Sequence, residues 1–579
     1  MILSLFLAAA ISVPADVYEN MLFVDVRVNG SPPRSFLLDT AVPKTMLDRR
    51  IHRKSARLDI GGLELRVDDP GTIDLSFFES AEGRRLDGIL GMDLFTRYAV
   101  EMDYDAGLVR FHEAATFEYG GTGAVVPLVI ADGKPFLDAK LKMPGQPERV
   151  RRYLVDSGSG GALADDLFMP EGEPVGPNLG RAEYVELGPF RFEGANGITG
   201  AMKIGGELLK RFTVIADFSR SRMMLEPNRH FRDAMLFDTS GLELEQVKAG
   251  LRVVQVYPRT PAADAGLRKG DVILRIDRQP ALTLGIERVR RMFHQVRTHQ
   301  LTILRGGKES QVTLALRLLI PTTLAAGMPV FEVRVAGKPL TFLIDTGSPY
   351  TFLDTAAAAR LGVKPERHGT IRGAGGGEVQ VAIVNELTFD IGGLVSRHEV
   401  RLTDLSGLTP HFGQRLDGFF GYDLLARHVI TFEPGRIVFG AYDNRGTVLP
   451  IAFGGRTNRW IYVPATIKVA GQPPVQAQFF VDSGSMDGAN HPVIRNATSP
   501  LRPINTGQGL GSGGGGGVAG RAEWVQLGPH RVVDVPSICC PSLAGTEAQL
   551  GQAVLGKFIV TYDYGRKQMT VTPVTQGWN

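Results

Sequence analysis

Apolar and polar positions alternate with a period of two through LFVDVRV at 22–28 and VFEVRV at 330–335. That is the pattern of a strand with one buried face. A turn containing glycine follows each, and then a second apolar run that ends in aspartate, FLLDTA at 36–41 and FLIDTG at 342–347. Two more runs of this kind are YLVDSG at 153–158 and FFVDSG at 479–484. Downstream of each lies an apolar-apolar-Gly or a near match: Ile89-Leu90-Gly91, the weaker Lys203-Ile204-Gly205, Phe419-Phe420-Gly421 and Val554-Leu555-Gly556. A short helical stretch and a last strand come next, most clearly in GMDLFTRYAVEMDY at 91–104. The pattern predicts many short strands, few helices and an internal repeat.

The repeats are of two kinds. The first and third share DIGGL, at 59–63 and 390–394, while the second and fourth share RAEYVELGP at 181–189 and RAEWVQLGP at 521–529. The order A, B, insert, A, B implies a duplicated two-lobed unit. The insert, about 232 to 318, holds GLRVVQVYPRTPAADAGLRKGDVILRIDRQPA at 250–281. A basic helical segment from Ile286 to Val296 and a strand pair around Gly306-Gly307 complete it.

Composition narrows the classes. In 579 residues, 43% hydrophobic and 22% charged residues are globular values. The formal net charge of +3 is too balanced for a dedicated nucleic-acid binder. The start, MILSLFLAAAISVPA, resembles a secretory leader cut before Asp16, with Val13 and Ala15 at −3 and −1 but no basic residues. The alternative is a first buried strand. The run is too short to anchor in a bilayer and no other window reaches 18 apolar residues, so no stable membrane span is expected.

The two cysteines, Cys539 and Cys540, are adjacent; small buried thiols are expected, with a strained vicinal bridge as the alternative. The 11 histidines are scattered without a metal-ligand spacing. GLGSGG at 509–514 has the letters of a dinucleotide loop without the strand and helix around it, and Ser157-Gly158-Ser159 has no nucleophile elbow. Arg288, Arg290, Arg291 and Arg297 are expected to form a solvated basic face rather than a site for an acidic partner.

Asp-Thr/Ser-Gly after an apolar strand, with apolar-apolar-Gly later, resembles the retropepsin-like and pepsin-like aspartic proteases. The insert resembles a PDZ domain of the bacterial periplasmic-protease kind, through AGLRKGDVI at 265–273 and through Gly250-Leu251-Arg252-Val253 as the carboxylate-binding loop. The resemblance implies a mainly β chain: four retropepsin-like lobes, in two tandem two-lobed units, flanking one α+β PDZ domain. Its divisions are a leader at 1–15, lobes at 16–115 and 116–231, the PDZ domain at 232–318, and lobes at 319–445 and 446–579. It further implies an exported, periplasmic or secreted bacterial aspartic endopeptidase. Polypeptide would be the substrate and water the nucleophile, so no metal or organic cofactor is implied, and a C-terminal peptide would be the PDZ ligand. The competing class is a peptide-binding adaptor that does not cut.

The halves are not equivalent. Asp345 lies 46 residues before Ile391, against 21 from Asp39 to Ile60; Asp482 lies 39 before Arg521, against 25 from Asp156 to Arg181. The extra residues fall where the family places its flaps, and include Gly373, Gly375, Gly376 and Gly377, then Gly513, Gly514 and Gly515. The first half also has Ala41 where the motif expects Gly. Asp345 and Asp482 are therefore the expected catalytic pair, supported by Thr346, Gly347, Ser348, Ser483, Gly484 and Ser485. Asp39 and Asp156 would be a degenerate pair.

Overall fold

The computed structural model describes residues 10–143, 146–168, 179–233, 235, 238–258, 260–372, 377–441, 446–505, 516–539 and 548–574. It is mainly β and falls into two compact units, one made of residues 1–295 and 299–314, the other of 296–298 and 315–579. No described helix is long and apolar enough to cross a membrane.

In the first unit a run of six strands joins the first two repeats. Its order is Ile11–Tyr18, Leu108–Glu113, Tyr98–Asp103, Phe212–Asp217, Arg222–Pro227 and Ala124–Pro127. The second unit has the same arrangement: Arg317–Pro321, Arg436–Gly440, Ile430–Glu433, Phe558–Asp563, Gln568–Pro573 and Thr447–Pro450. Residues 11–14 thus stand where 317–321 stand. Val13 of the strand Ile11–Tyr18 is buried in the core, while its neighbours Ser12 and Pro14 are exposed. A leader ending at Ala15 would remove half of that strand.

Every aspartate strand runs parallel to a short strand ending just before a glycine. The aspartate N–H then donates to that strand's last carbonyl: Asp39 to Leu90, Asp156 to Ile204, Asp345 to Phe420 and Asp482 to Leu550, at 2.8–3.0 Å. In the fourth repeat the partner is therefore Gln549-Leu550-Gly551. Val554 and Leu555 lie on the helix Gln552–Leu555 that follows, which corrects the sequence alignment. The reason for glycine is close approach: a Cβ on Gly551 would meet the Asp487 carbonyl oxygen at 2.4 Å, and one on Gly421 the Tyr350 oxygen at 2.4 Å.

DIGGL is the same hairpin turn in both halves, pairing Ile60 with Leu63 and Ile391 with Leu394. Ahead of it the second unit has a further hairpin, Arg367–Arg372 against residues 378–383. Arg502–Asn505 pairs likewise with residues 516–519. Gly377 lies at the described end of the first hairpin; Gly373, Gly375, Gly376, Gly513, Gly514 and Gly515 lie outside the described residues. Cys539 is buried and disulfide-bonded, which overturns the expectation of free thiols. The only other cysteine of the chain, Cys540, lies outside the described residues.

The insert forms a sheet ordered Leu242–Val247, Gly250–Val256, Val272–Ile276, Thr298–Arg305 and Lys308–Ala315, with helix Ile286–Phe293 packed beside it. Gly250, Leu251, Arg252 and Val253 belong to a strand with neighbours on both sides, and Leu251 and Val253 are buried. Such a strand has no free edge for an added peptide. The edge strand beside helix Ile286–Phe293 is Leu242–Val247, so the carboxylate loop expected at Gly250-Leu251-Arg252-Val253 lies one strand in from that edge.

Candidate active site

In the second unit the loops after two strands meet. Thr346 N–H donates to Ser483 Oγ at 3.0 Å, and Ser483 N–H to Thr346 Oγ1 at 2.9 Å. Each hydroxyl also donates across the junction, Thr346 to the Val481 carbonyl at 2.8 Å and Ser483 to that of Ile344 at 2.9 Å. Both side chains are buried. Replacing Thr346 by Val keeps the shape but leaves the Val481 carbonyl and the Ser483 N–H unpaired. A loss of about 2–4 kcal/mol is expected, read as a lower urea midpoint.

This lock sets the two carboxyls face to face. A Cβ on Gly347 would lie 2.7 Å from Asp482 Cγ, and one on Gly484 would lie 2.6 Å from Asp345 Cγ. Each glycine thus makes room for the aspartate of the other loop. Gly347 N–H donates to Asp345 Oδ1 at 2.7 Å, and Gly484 N–H to Asp482 Oδ1 at 3.0 Å.

Burial raises the Asp345 carboxyl above the usual range, opposed by hydrogen bonds from Gly347 and others. Burial, then the charge of Asp345, drives Asp482 well above it. Two carboxyls so placed resist ionising together. Ser348 Oγ donates to the Tyr350 carbonyl, and Ser485 Oγ accepts from Asp487 N–H, so both hydroxyls shape the loops.

The first unit keeps the lock. Thr40 and Ser157 exchange the same four hydrogen bonds, at 2.6–3.1 Å. Its carboxyls differ in two ways. Ala41 stands where Gly347 stands, so a methyl group fills space that the opposing carboxyl uses in the second unit. And Lys203 Nζ lies 3.0 Å from Asp156 Oδ2, an ion pair where the second unit has a neutral contact. There the equivalent residue is Gln549, whose Nε2 donates to Asp482 Oδ2 at 2.7 Å while Asn490 Nδ2 donates to its Oε1 at 3.1 Å.

Burial first, and then the charge of Asp156, pushes Asp39 up to about 7. The unfolded chain ionises this group near pH 4, and the folded one near 7. The folded state therefore binds more protons between these values, and stability falls as pH rises through the window. Asp39→Asn is expected to raise the melting temperature at pH 8, by about 1–3 kcal/mol of stability, and to change nothing at pH 3.5.

Sequence reasoning missed Gln549, because an apolar-apolar-Gly search passes over a polar first residue, and it took Lys203 as a weak member of that motif without foreseeing its pairing with Asp156. It also missed Tyr564, whose buried hydroxyl has no hydrogen-bond partner among the described residues. Tyr564 packs on Tyr422 and Phe453, and burial drives its pKa well up, so it stays protonated. Ile371 and Val379 of the hairpin pack with Tyr350 against a cluster that includes Phe352 and Phe419. Among the described residues no group of His, Cys, Asp and Glu could hold a metal ion.

Residues 331–424 match the family model described as aspartyl protease, a span that holds both Asp345-Thr346-Gly347 and Phe419-Phe420-Gly421. Residues 240–316 match that of a PDZ domain, as the resemblance of the insert implied. No curated protein matches the chain.

Proposed function

We propose that the chain is an aspartic endopeptidase whose catalytic pair is Asp345 and Asp482, built from the third and fourth of four retropepsin-like lobes. The observation that carries this reading is the reciprocal fit of each carboxyl against the other loop's glycine, with both carboxyls pushed upward and sharing a proton. In that state the ionised group takes a proton from water as the water oxygen attacks the peptide carbonyl carbon. The protonated group donates to the carbonyl oxygen. Collapse of the tetrahedral intermediate breaks the C–N bond, the amine leaving with a proton from the pair.

The paired strands 367–372 and 378–383 would close over an extended substrate. The apolar cluster beneath it suits an apolar side chain. The first pair, with Ala41 and the Lys203 ion pair, supports a scaffold or binding role for the first unit. The PDZ domain adds recognition of a peptide, substrate or partner. Export to the periplasm completes the reading, supported by the apolar run from Ile2 to Val13; a cut upstream of Ile11 would leave the first strand whole.

Hydrolysis of a proteome-derived peptide library by the folded chain, followed from pH 3 to 8 by mass spectrometry, tests this. Cleavage between apolar residues with a bell-shaped pH profile is expected. A folded chain that cuts nothing would favour the adaptor reading, for which the disarmed first pair is the specific support.

A further inference from the structure

The free edge of the PDZ sheet is not bare. Strand Leu242–Val247 and helix Ile286–Phe293 form the two walls between which such a domain takes an added peptide strand. They are tied at one end, where Thr239 N–H and Oγ1 both donate to the Phe293 carbonyl at 3.1 and 3.0 Å. At the other end the helix Ser76–Glu82 of the first repeat, with its cap Gly83, lies against both walls. A Cβ on Gly83 would come within 3.0 Å of Ile286 Cγ2 on the helix and 3.1 Å of Gln246 Oε1 on the strand.

Charge holds the contact. Arg290, from the middle of the PDZ helix, pairs with the Glu82 carboxylate and donates from Nη2 to the Ala81 carbonyl at 2.8 Å. Glu19 Oε1 stands 4.0 Å from the same guanidinium, and Tyr18 Oη donates to the Glu82 carbonyl. The solvated basic face expected at Arg290 is thus turned inward here. The segment is anchored behind as well: Phe78 packs on Phe23, and Leu75 N–H donates to the buried carboxylate of Asp48 at 2.8 Å.

We propose that residues 76–83 are the resident occupant of the PDZ groove, latched by the Glu82–Arg290 pair, and that an outside peptide binds only by displacing them. The occupant is helical, so it covers the groove without adding a strand, and the backbone groups of the edge are left for the competitor. A tethered occupant competes at an effective concentration in the millimolar range. The apparent affinity for an external C-terminus then falls by the fraction of chains that are open. This inference rests on the PDZ domain alone and stands or falls independently of the catalytic pair.

Charge reversal in the full-length chain tests it. The probe is a pool of fluorescein-labelled decapeptides, randomised at the last four positions and ending in a free carboxylate, read by anisotropy. Glu82→Arg is expected to bind the pool at least about ten-fold tighter than wild type, and Glu82→Arg with Arg290→Glu to return to the wild-type value. Hydrogen exchange is measured on the same proteins. Segments 74–84 and 240–248 should lose protection together in Glu82→Arg and regain it in the double variant.

Equal peptide affinity in wild type and Glu82→Arg, or equal protection of both segments, would overturn the proposal. If neither protein binds the pool, the exchange result decides alone. Should the reversal unfold the unit, seen as exchange across strands 98–103 and 108–113, Glu82→Gln keeps the shape and gives the same readout at smaller amplitude.

Discussion

Asp345→Asn is expected to lower kcat for any peptide the chain cleaves by about 10³-fold or more, with KM nearly unchanged and the fold intact. The side chain keeps its size, and its amide oxygen can still accept the Gly347 N–H that now reaches Asp345 Oδ1 at 2.7 Å. What disappears is the titrating partner: an amide can neither take a proton from water nor share one with Asp482. Asp482→Asn should give a loss of the same order. Asp39→Asn, by contrast, should stay within about twofold of wild type in turnover while stabilising the first unit at neutral pH. Rate constants for the three variants on one cleaved peptide are the measurement. A loss confined to Asp39→Asn would reverse the assignment of the halves.

Gln549→Lys should be nearly as damaging, on the order of 10²-fold in kcat, although Gln549 is not a catalytic residue. It is a positioning residue: its neutral amide holds the outer oxygen of Asp482. A cation there would favour ionisation of the pair, as any opposite charge within ~4–6 Å does. The monoprotonated state would then retreat to lower pH. The expected signature is a downward shift of the alkaline limb of the pH–rate profile, which a purely structural defect would not produce. Gln549→Leu, which removes the donor without adding charge, should lose less and leave that limb at or above its wild-type position. The natural precedent is within the chain, where Lys203 makes this ion pair with Asp156. A lysine variant with an unshifted profile would show that the contact does not tune the pair.

Much of this arrangement was legible in the sequence, and what was hidden has physical reasons. An apolar strand ending in Asp-Thr/Ser needs no context to be read, since burial dictates the strand and the hydroxyl the crossing hydrogen bonds. The DIGGL turns and the extra residues before them could be counted, and they correspond to real hairpins. The partner of Asp482 was misaligned because Val554-Leu555-Gly556 satisfies the apolar pattern better than Gln549-Leu550-Gly551, yet only the latter strand lies beside Phe480 and Val481. Periodicity likewise cannot tell an edge strand from its neighbour: Leu242–Val247 and Gly250–Val256 both alternate, and only pairing shows which one is free. Arg290 sits in a run of like charges, and its partners Glu82 and Glu19 are more than two hundred residues away in sequence.

The shared six-stranded arrangement also has a consequence for the newborn chain. Ala15–Tyr18 pairs at once with Met21–Val24, but Ile11–Pro14 of the same strand pairs with Leu108–Phe111, so that half waits for a partner about a hundred residues later in the chain. At roughly 5–20 residues per second that is a wait of about 5–20 s. Throughout it, the half that carries Val13 lacks its sheet partner and is available to whatever machinery engages nascent chains.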